Sequence, residues 1–359
     1  MDKIAVFLSN YLNSSETFIY RRLVNFRAFK PIVLSYGTEN LDVFPFEPVY
    51  SFHSDRPLVE DFKRFMLVNF GFSPFFESVL KSNGVKLVQA HFTTRAKEIL
   101  PVTKRLKIPQ VNFFHGSDLD ACKDVRKLVK DTAASATVSE TMRRDLIRRG
   151  CDENKIFVNY AGIELGNFSF RKRSPKKGKM RVLMCGRLFW KKGFDDGIKA
   201  FSMALSKHPN LEMRILGDGE MRGRLKKMIG KMGLGGKIKM AGKLPPDSIP
   251  LEMDEADIML VPSVEEGLPN VIKEALASGL PVISTNVGGI PELIEDGVNG
   301  FLVDPENASQ MAEKLICLIE GPELWGRFAD EGRAAVEEKF DVKKQMSRLE
   351  KKYGEIING

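Results

Sequence analysis

Cysteine is scarce in this sequence, and long apolar runs are missing. The four cysteines, Cys122, Cys151, Cys185 and Cys317, stand far apart. That spacing excludes a zinc ribbon or a CxxC redox site and suggests reduced thiols in a cytosol. No apolar stretch approaches the roughly 20 residues of a membrane-spanning helix. The N-terminal MDKIAVFLSNYL has one short apolar run and no small-residue cleavage site, so it reads as a first strand and not as a signal peptide. Asp254-Glu255-Ala256-Asp257 imitates a helicase box, but no Walker A sequence precedes it. No recognisable DNA- or RNA-binding motif occurs, so nucleic acid is not an expected partner.

What is present is a chain of 359 residues, 43% hydrophobic and 28% charged. These are the proportions of a soluble globular protein, and the length points to two domains. The net charge of +8 is unevenly spread: residues 1–178 carry +10 and residues 179–359 carry −2. Nineteen of the 25 phenylalanines lie in the same basic half. A basic, Phe-rich half suits an anionic, greasy partner such as a membrane surface or a lipid phosphate.

The most informative stretch is 258–279, IMLVPSVEEGLPNVIKEALASG. Ile258 to Val261 reads as a buried parallel strand. An acidic loop follows, and Pro269 suits the first position of a helix whose apolar face is Val271, Ile272, Ala275 and Leu276. Gly279 ends that helix. A helix start attracts phosphate, and Gly267 lets a ligand come close to the backbone. Glu266 before the start and Glu274 inside it suit hydroxyl groups instead. Together these features expect phosphate in the middle and polyols on either side, as in a nucleotide sugar. A solvated glutamate pair beside an ordinary turn is the plainer alternative.

The pattern P-S-x-x-E-G-x-P-N-x-x-x-E-A, with the G-L-P-V strand after it, resembles the signature of family 4 retaining glycosyltransferases. The resemblance implies that Glu266 lies at the donor sugar and Glu274 at the nucleotide ribose, with Gly267, Leu268, Pro269 and Asn270 lining the donor site. Gly186-Arg187-Leu188 and Lys192-Gly193 are similar to the family's G-R-L…K-G segment, which implies Arg187 and Lys192 on the phosphates. A guanidinium and an ammonium around one strand-to-helix turn can clamp a diphosphate. The family also implies Lys243 and Leu244 at the nucleotide base. Gly217, Gly219 and Gly223 miss the spacing of a dinucleotide fingerprint.

In the first half, VKLVQAHF and PQVNFFHGSDLD read as strands ending at His91 and His115, at the strand ends where open α/β sheets bind ligands. His115-Gly116-Ser117-Asp118 resembles the family's H-G-x-D segment, whose His reaches the donor sugar. The A-H-F around His91 is similar to a segment of the bacterial exopolysaccharide and colanic-acid-type subgroup. Ser15-Glu16-Thr17-Phe18 resembles that subgroup's variant of a loop that is glycine-rich elsewhere in the family. Glu16, Thr17 and His91 are therefore acceptor-side candidates, and Ser14, Ser15 and Thr17 are candidate helix caps. Asp118-Leu119-Asp120 spells a D-x-D, read here as chance. Phe62, Phe65, Met66 and Phe70 sit at helical spacing beside Lys63 and Arg64. Such a stripe is more often core than a membrane face.

Strand and helix alternate twice over, around a basic Pro/Gly-containing segment at 170–180 that reads as a domain hinge. The resemblance implies an α/β chain of GT-B type, with two doubly wound parallel-sheet, Rossmann-like domains facing across a cleft. The expected bounds are 1–172 for an acceptor-side domain and 179–340 for a nucleotide-sugar donor domain, with the tail 341–359 crossing back onto the first. The implied reaction is retaining, metal-independent transfer of a sugar from a nucleoside diphosphate, on subgroup likeness UDP, to a saccharide or lipid-linked saccharide. Such a protein would be cytoplasmic, or peripheral on the inner membrane face, with no cofactor beyond its donor substrate. A non-catalytic nucleotide-sugar-binding protein and a sugar-nucleotide epimerase of the same fold remain as alternatives.

Overall fold

A computed structural model describes residues 1–12, 16–53, 56–116, 122 and 124–359. The chain divides into two compact units, Met1–Gly162 with Val342–Gly359, and Ile163–Asp341.

The first unit is built on a seven-stranded parallel sheet. Its strands are β1 (Asp2–Phe7), β2 (Phe29–Ser35), β3 (Val49–Ser51), β4 (Val85–His91), β5 (Gln110–Phe114), β6 (Ala134–Thr137) and β7 (Ile156–Val158). They lie in the order β3-β2-β1-β4-β5-β6-β7. Most are buried on both faces, which is why they read as apolar runs without alternation. The helix Val342–Asn358 belongs to this unit, where Val342, Met346, Leu349 and Tyr353 pack with Ile4, Phe29, Leu87, Val111 and Phe113. Each fully buried side chain of that kind contributes about 1.5–3 kcal/mol, so these four anchor the helix firmly.

The second unit repeats the plan with β8 (Met180–Cys185), β9 (Leu211–Leu216), β10 (Ile238–Gly242), β11 (Ile258–Val261), β12 (Val282–Thr285) and β13 (Phe301–Val303). Their order is β10-β9-β8-β11-β12-β13, again all parallel. Both sheets reverse direction of growth once, between β1 and β4 and between β8 and β11. Such a reversal opens a crevice at the carboxyl ends of the two strands, the usual ligand position in open α/β sheets.

Four local expectations need correction. The segment at 170–180 is not a free hinge: Arg173 is buried, and its guanidinium donates to the carbonyls of Ala256 (2.9 Å), Ser278 (2.6 Å) and Met253 (2.7 Å). A cation there satisfies carbonyls left open at helix C-termini, including that of Asn270–Ala277, and the chain passes between units at 162/163 instead. Pro269 stands at the N-cap and not at the first helical position, since its ψ of 124° is extended and the helix begins at Asn270. Thr17 is the first residue of helix Thr17–Val24 and no cap, while Ser14 and Ser15 lie outside the described residues.

The Phe stripe, fourth, does not face the core. Residues 57–83 form two helices, Pro57–Phe70 and Pro74–Ser82. Gly71, at φ +60°, ends the first, and Ser73 caps the second by accepting from the Phe76 N–H. On the first helix Phe62, Phe65 and Phe70 are 62%, 52% and 64% exposed, and Leu67 is its one buried residue. The stripe is surface, because the only side that meets the unit's core is the Leu67 side.

Candidate active site

In the second unit, the carboxyl ends of β8 and β11 carry the predicted phosphate and sugar residues. β8 runs into Gly186-Arg187-Leu188 and then a single turn, Trp190–Lys192, closed by Gly193 at φ +60°. β11 runs into Pro262 and Ser263 and the loop to Pro269. The two connections are locked together. A Cβ on Gly193 would stand 1.9 Å from the Pro262 carbonyl oxygen, and the Val264 N–H donates to the Lys191 carbonyl at 2.7 Å. Only glycine permits that approach and that φ.

This contact brings two predicted residues together. Lys192 Nζ lies 2.5 Å from Glu266 Oε1, and the same oxygen accepts from Ser263 Oγ at 2.8 Å. The Glu266 side chain is only 8% exposed, so its charge needs these partners. Lys191 and Glu265 make a parallel pair at 2.6 Å. Arg187 is exposed, with its guanidinium over the Phe189 ring, 5.3 Å from the centroid.

The loop 264–269 is held from behind by residues the sequence reading passed over. Gly288, at φ +55°, sits so close that a Cβ would lie 1.8 Å from the Glu266 carbonyl oxygen, and the Gly289 N–H donates to the Gly267 carbonyl at 2.8 Å. Thr285 Oγ1 donates to the Ser263 carbonyl and Ser284 Oγ to that of Val261. The paired glycines after β12 were the available signal. The helix Asn270–Ala277 then begins with no side-chain cap, and Asn270 Oδ1 is buried with no hydrogen-bond partner among the described residues. An orphaned acceptor at an uncapped helix start is ordinarily satisfied by something from outside the chain.

Glu274 belongs to the same neighbourhood. Burial pushes the Cys185 thiol up to about 12, the carboxylates of Glu274 and Glu252 add to that, and the Lys192 ammonium opposes it. One thiol at the end of β8 thus feels both Glu274 and Lys192. Lys243 and Leu244 follow β10 and its Gly242, Lys243 being exposed. The Gly217–Gly219 turn packs against the segment after β8. A Cβ at Gly217 would lie 1.8 Å from the Gly186 carbonyl oxygen, so these glycines let the turn back the Arg187 segment.

In the first unit the carboxyl ends of β4 and β5 hold histidines. His115 follows β5, and Phe18 and Phe92 lie against its ring at 4.9 and 4.8 Å between centroids. Phe92 holds φ +66°, a strained conformation for an aromatic residue and of the sort that gathers at functional sites. His91 is completely buried, so it does not line a surface as expected: its ring stacks on His115 and its Nδ1 lies 2.9 Å from His115 Nε2. Burial, then His115 and the buried Arg22 cation, holds His91 well below the usual histidine range. Burial and then Arg22 do the same to His115, which keeps some exposure. Arg22 donates to the Asn159 carbonyl at 3.0 Å and sits over the Phe113 ring. Glu16 and Thr17 open the neighbouring helix and are partly exposed, whereas Asp118 and Asp120 lie outside the described residues. Among the described residues no group of three or more His, Cys, Asp or Glu side chains could hold a metal ion.

The fold matches solved structures along its whole length. Anabaena Alr3699/HepE in complex with UDP aligns with TM-score 0.80 at 19% identity, covering 99% of this chain and all of that one. Sucrose-phosphate synthase from Thermosynechococcus elongatus aligns with TM-score 0.79 at 15% identity over all of both chains. The fold is GT-B. By sequence, the amylovoran biosynthesis glycosyltransferase AmsK of Erwinia amylovora is 34% identical over 251 residues, 66% of this chain and 62% of that protein. The putative colanic acid biosynthesis glycosyltransferase WcaL of Escherichia coli K12 is 30% identical over 56% of this chain and 53% of its own. The chain thus spans less than two thirds of the length of these relatives. Residues 167–335, which hold Arg187, Lys192, Glu266 and Glu274, match the model of glycosyl transferases group 1.

Proposed function

We propose that this protein is a retaining, metal-independent glycosyltransferase of family 4 that moves a sugar from a UDP-sugar to a saccharide or lipid-linked saccharide in bacterial surface polysaccharide biosynthesis. The observation that carries the reading is the Lys192–Glu266 pair at the β8/β11 reversal, beside Arg187 and an uncapped helix start. The relatives in amylovoran and colanic acid biosynthesis, and the fold shared with a protein solved with UDP, support the donor and the pathway class.

In this reading the diphosphate takes Lys192 away from Glu266 and adds Arg187 and the first N–H groups of helix Asn270–Ala277. Glu266, released from its ion pair, accepts from sugar hydroxyls, and Glu274 accepts from the ribose. Lys243 and Leu244 meet the base, Gly267, Leu268, Pro269 and Asn270 frame the phosphates, and His115 meets the sugar. The bond from the anomeric carbon to the phosphate oxygen breaks, the acceptor oxygen bonds from the same face, and the acceptor proton leaves on the diphosphate. The fixed positive groups stabilise the developing negative charge. Glu16 and Thr17 are proposed on the acceptor side.

The acceptor domain is proposed to meet the cytoplasmic membrane surface through helix Pro57–Phe70, on the support of its exposed phenylalanines and the +10 charge of residues 1–178. Incubation with UDP-sugars and a saccharide acceptor, followed by NMR of the product's anomeric centre, tests the reaction. Inversion of configuration, or an epimerised donor with no UDP released, overturns it.

A further inference from the structure

A continuous buried hydrogen-bond chain reaches His115. Tyr353 Oη lies 2.5 Å from Gln89 Oε1, Gln89 Nε2 lies 2.5 Å from His91 Nε2, and His91 Nδ1 lies 2.9 Å from His115 Nε2. Tyr353, Gln89 and His91 are all essentially inaccessible to solvent. Gln89 and His91, two residues apart on β4, point to the same face of the sheet. Tyr353 comes from the helix Val342–Asn358 at the other end of the sequence.

The chain has a direction. The buried Tyr353 hydroxyl has Gln89 as its partner among the described residues, and a hydroxyl hydrogen must point at an acceptor. Gln89 therefore turns its carbonyl oxygen toward Tyr353 and its NH2 toward His91. The opposite amide orientation would strand the tyrosine hydrogen against a donor. With Gln89 donating, His91 Nε2 is an acceptor without hydrogen, so the hydrogen of the neutral ring is on Nδ1. His91 Nδ1–H then donates to His115 Nε2, which leaves the hydrogen of His115 on Nδ1. A second proton on either ring would put two donors face to face, beside the buried Arg22 cation.

We infer that Tyr353, Gln89 and His91 are positioning residues that hold His115 as the neutral Nδ1–H tautomer, so that it offers the donor sugar an N–H and neither a lone pair nor a positive charge. The lone pair of His115 is engaged by His91. It cannot take the acceptor's proton, which fits a same-face reaction in which the leaving phosphate carries that proton away. The role rests on the reading above that His115 meets the donor sugar; the tautomer does not.

The test is long-range proton–nitrogen NMR on the full chain with 15N-labelled histidine. The sequence has four histidines, and single substitutions of His53 and His208 isolate the remaining pair. Both rings are expected to carry hydrogen on Nδ1 alone at pH 7. In Tyr353→Phe, Gln89 is free to turn, so His115 is expected as a mixture of tautomers. Turnover should fall about three- to tenfold, the scale of one net hydrogen bond, with the donor KM within about twofold of wild type. Gln89→Met, which keeps the side chain's length, should do the same and guards against a folding defect in the first variant. Hydrogen on His115 Nε2 in the wild type, or a single tautomer with wild-type turnover in both variants, overturns the inference. An Nδ1–H His115 whose replacement by Asn leaves turnover unchanged overturns its place at the sugar and leaves the tautomer standing.

Discussion

Lys192 and Glu266 form an ion pair 2.5 Å long, 74 residues apart in sequence, on the two strand-end connections that the fold brings together. Each residue is proposed to contact a different part of the donor, so the pair must open for the donor to bind. Lys192→Ala is expected to weaken UDP binding about 10- to 100-fold, the range for a hydrogen bond to a charged group. Glu266→Gln removes the competitor for Lys192. It should leave UDP binding equal or tighter while turnover at saturating donor falls by about tenfold or more. Calorimetry with UDP and initial rates measure the two effects, and weaker UDP binding in Glu266→Gln would contradict the exchange.

Glu274→Gln should raise the donor KM more than it lowers turnover, because a ribose contact is much the same in ground and transition states. Rates over a range of donor concentrations separate the two. An unchanged KM would take Glu274 off the ribose.

The positive charge for the leaving diphosphate is proposed to come from Arg187, Lys192 and the helix start. Activity is therefore expected to persist in EDTA. Loss in EDTA that magnesium or manganese restores would revive Asp118 and Asp120 as metal ligands.

The buried histidines make stability depend on pH. Both are held well below their unfolded range, so below about pH 6.5 the unfolded chain binds protons that the native chain refuses. Their contribution is complete above the unfolded value and is lost as pH falls from there toward the folded values. Stability measured by denaturant should drop between pH 7 and pH 5. His91→Gln should flatten that dependence by up to about 1.4 kcal/mol per pH unit. A dependence as steep in the variant as in the wild type would show that His91 charges freely when folded.

Replacing Phe62, Phe65 and Phe70 together by Ser should abolish sedimentation with anionic vesicles while changing stability little, since all three are exposed. Binding by the wild type should need anionic lipid and weaken with salt. Equal partition of the wild type to neutral and anionic vesicles, or no binding to either, would leave the exposed stripe for another partner.

Much of the proposed donor site was legible in the sequence because its chemistry is local. The strand Ile258–Val261, the acidic loop and the helix from Asn270 lie in one run of residues, where apolar patterning, a proline and a stopping glycine mark the elements directly. Arg187 and Lys192 follow a strand in the same manner. The seven- and six-stranded parallel sheets were foreshadowed by the same alternation of apolar strands with amphipathic helices.

Other features needed the folded chain. Gly193 and Gly288 are ordinary turn glycines in the sequence, and only packing shows that they admit the Pro262 and Glu266 carbonyls. The 170–180 segment looked like a linker because it is charged and broken by Pro and Gly. Its Arg173 instead closes three helix-end and loop carbonyls from elsewhere in the second unit. The Phe stripe has the same period whether it faces core or solvent, since periodicity defines a face but not what lies against it.

What the sequence by itself determined is therefore the order of strands and helices, the two-unit plan and the residue types proposed to meet a phosphate and a sugar. Each of these follows from local patterning and backbone preference. Only the tertiary structure decided which of those residues share a charge or a proton. The Lys192–Glu266 pair and the Tyr353–Gln89–His91–His115 chain join positions 74 and up to 264 residues apart. Contacts of that kind arise from sheet order and helix docking, and no local pattern encodes them.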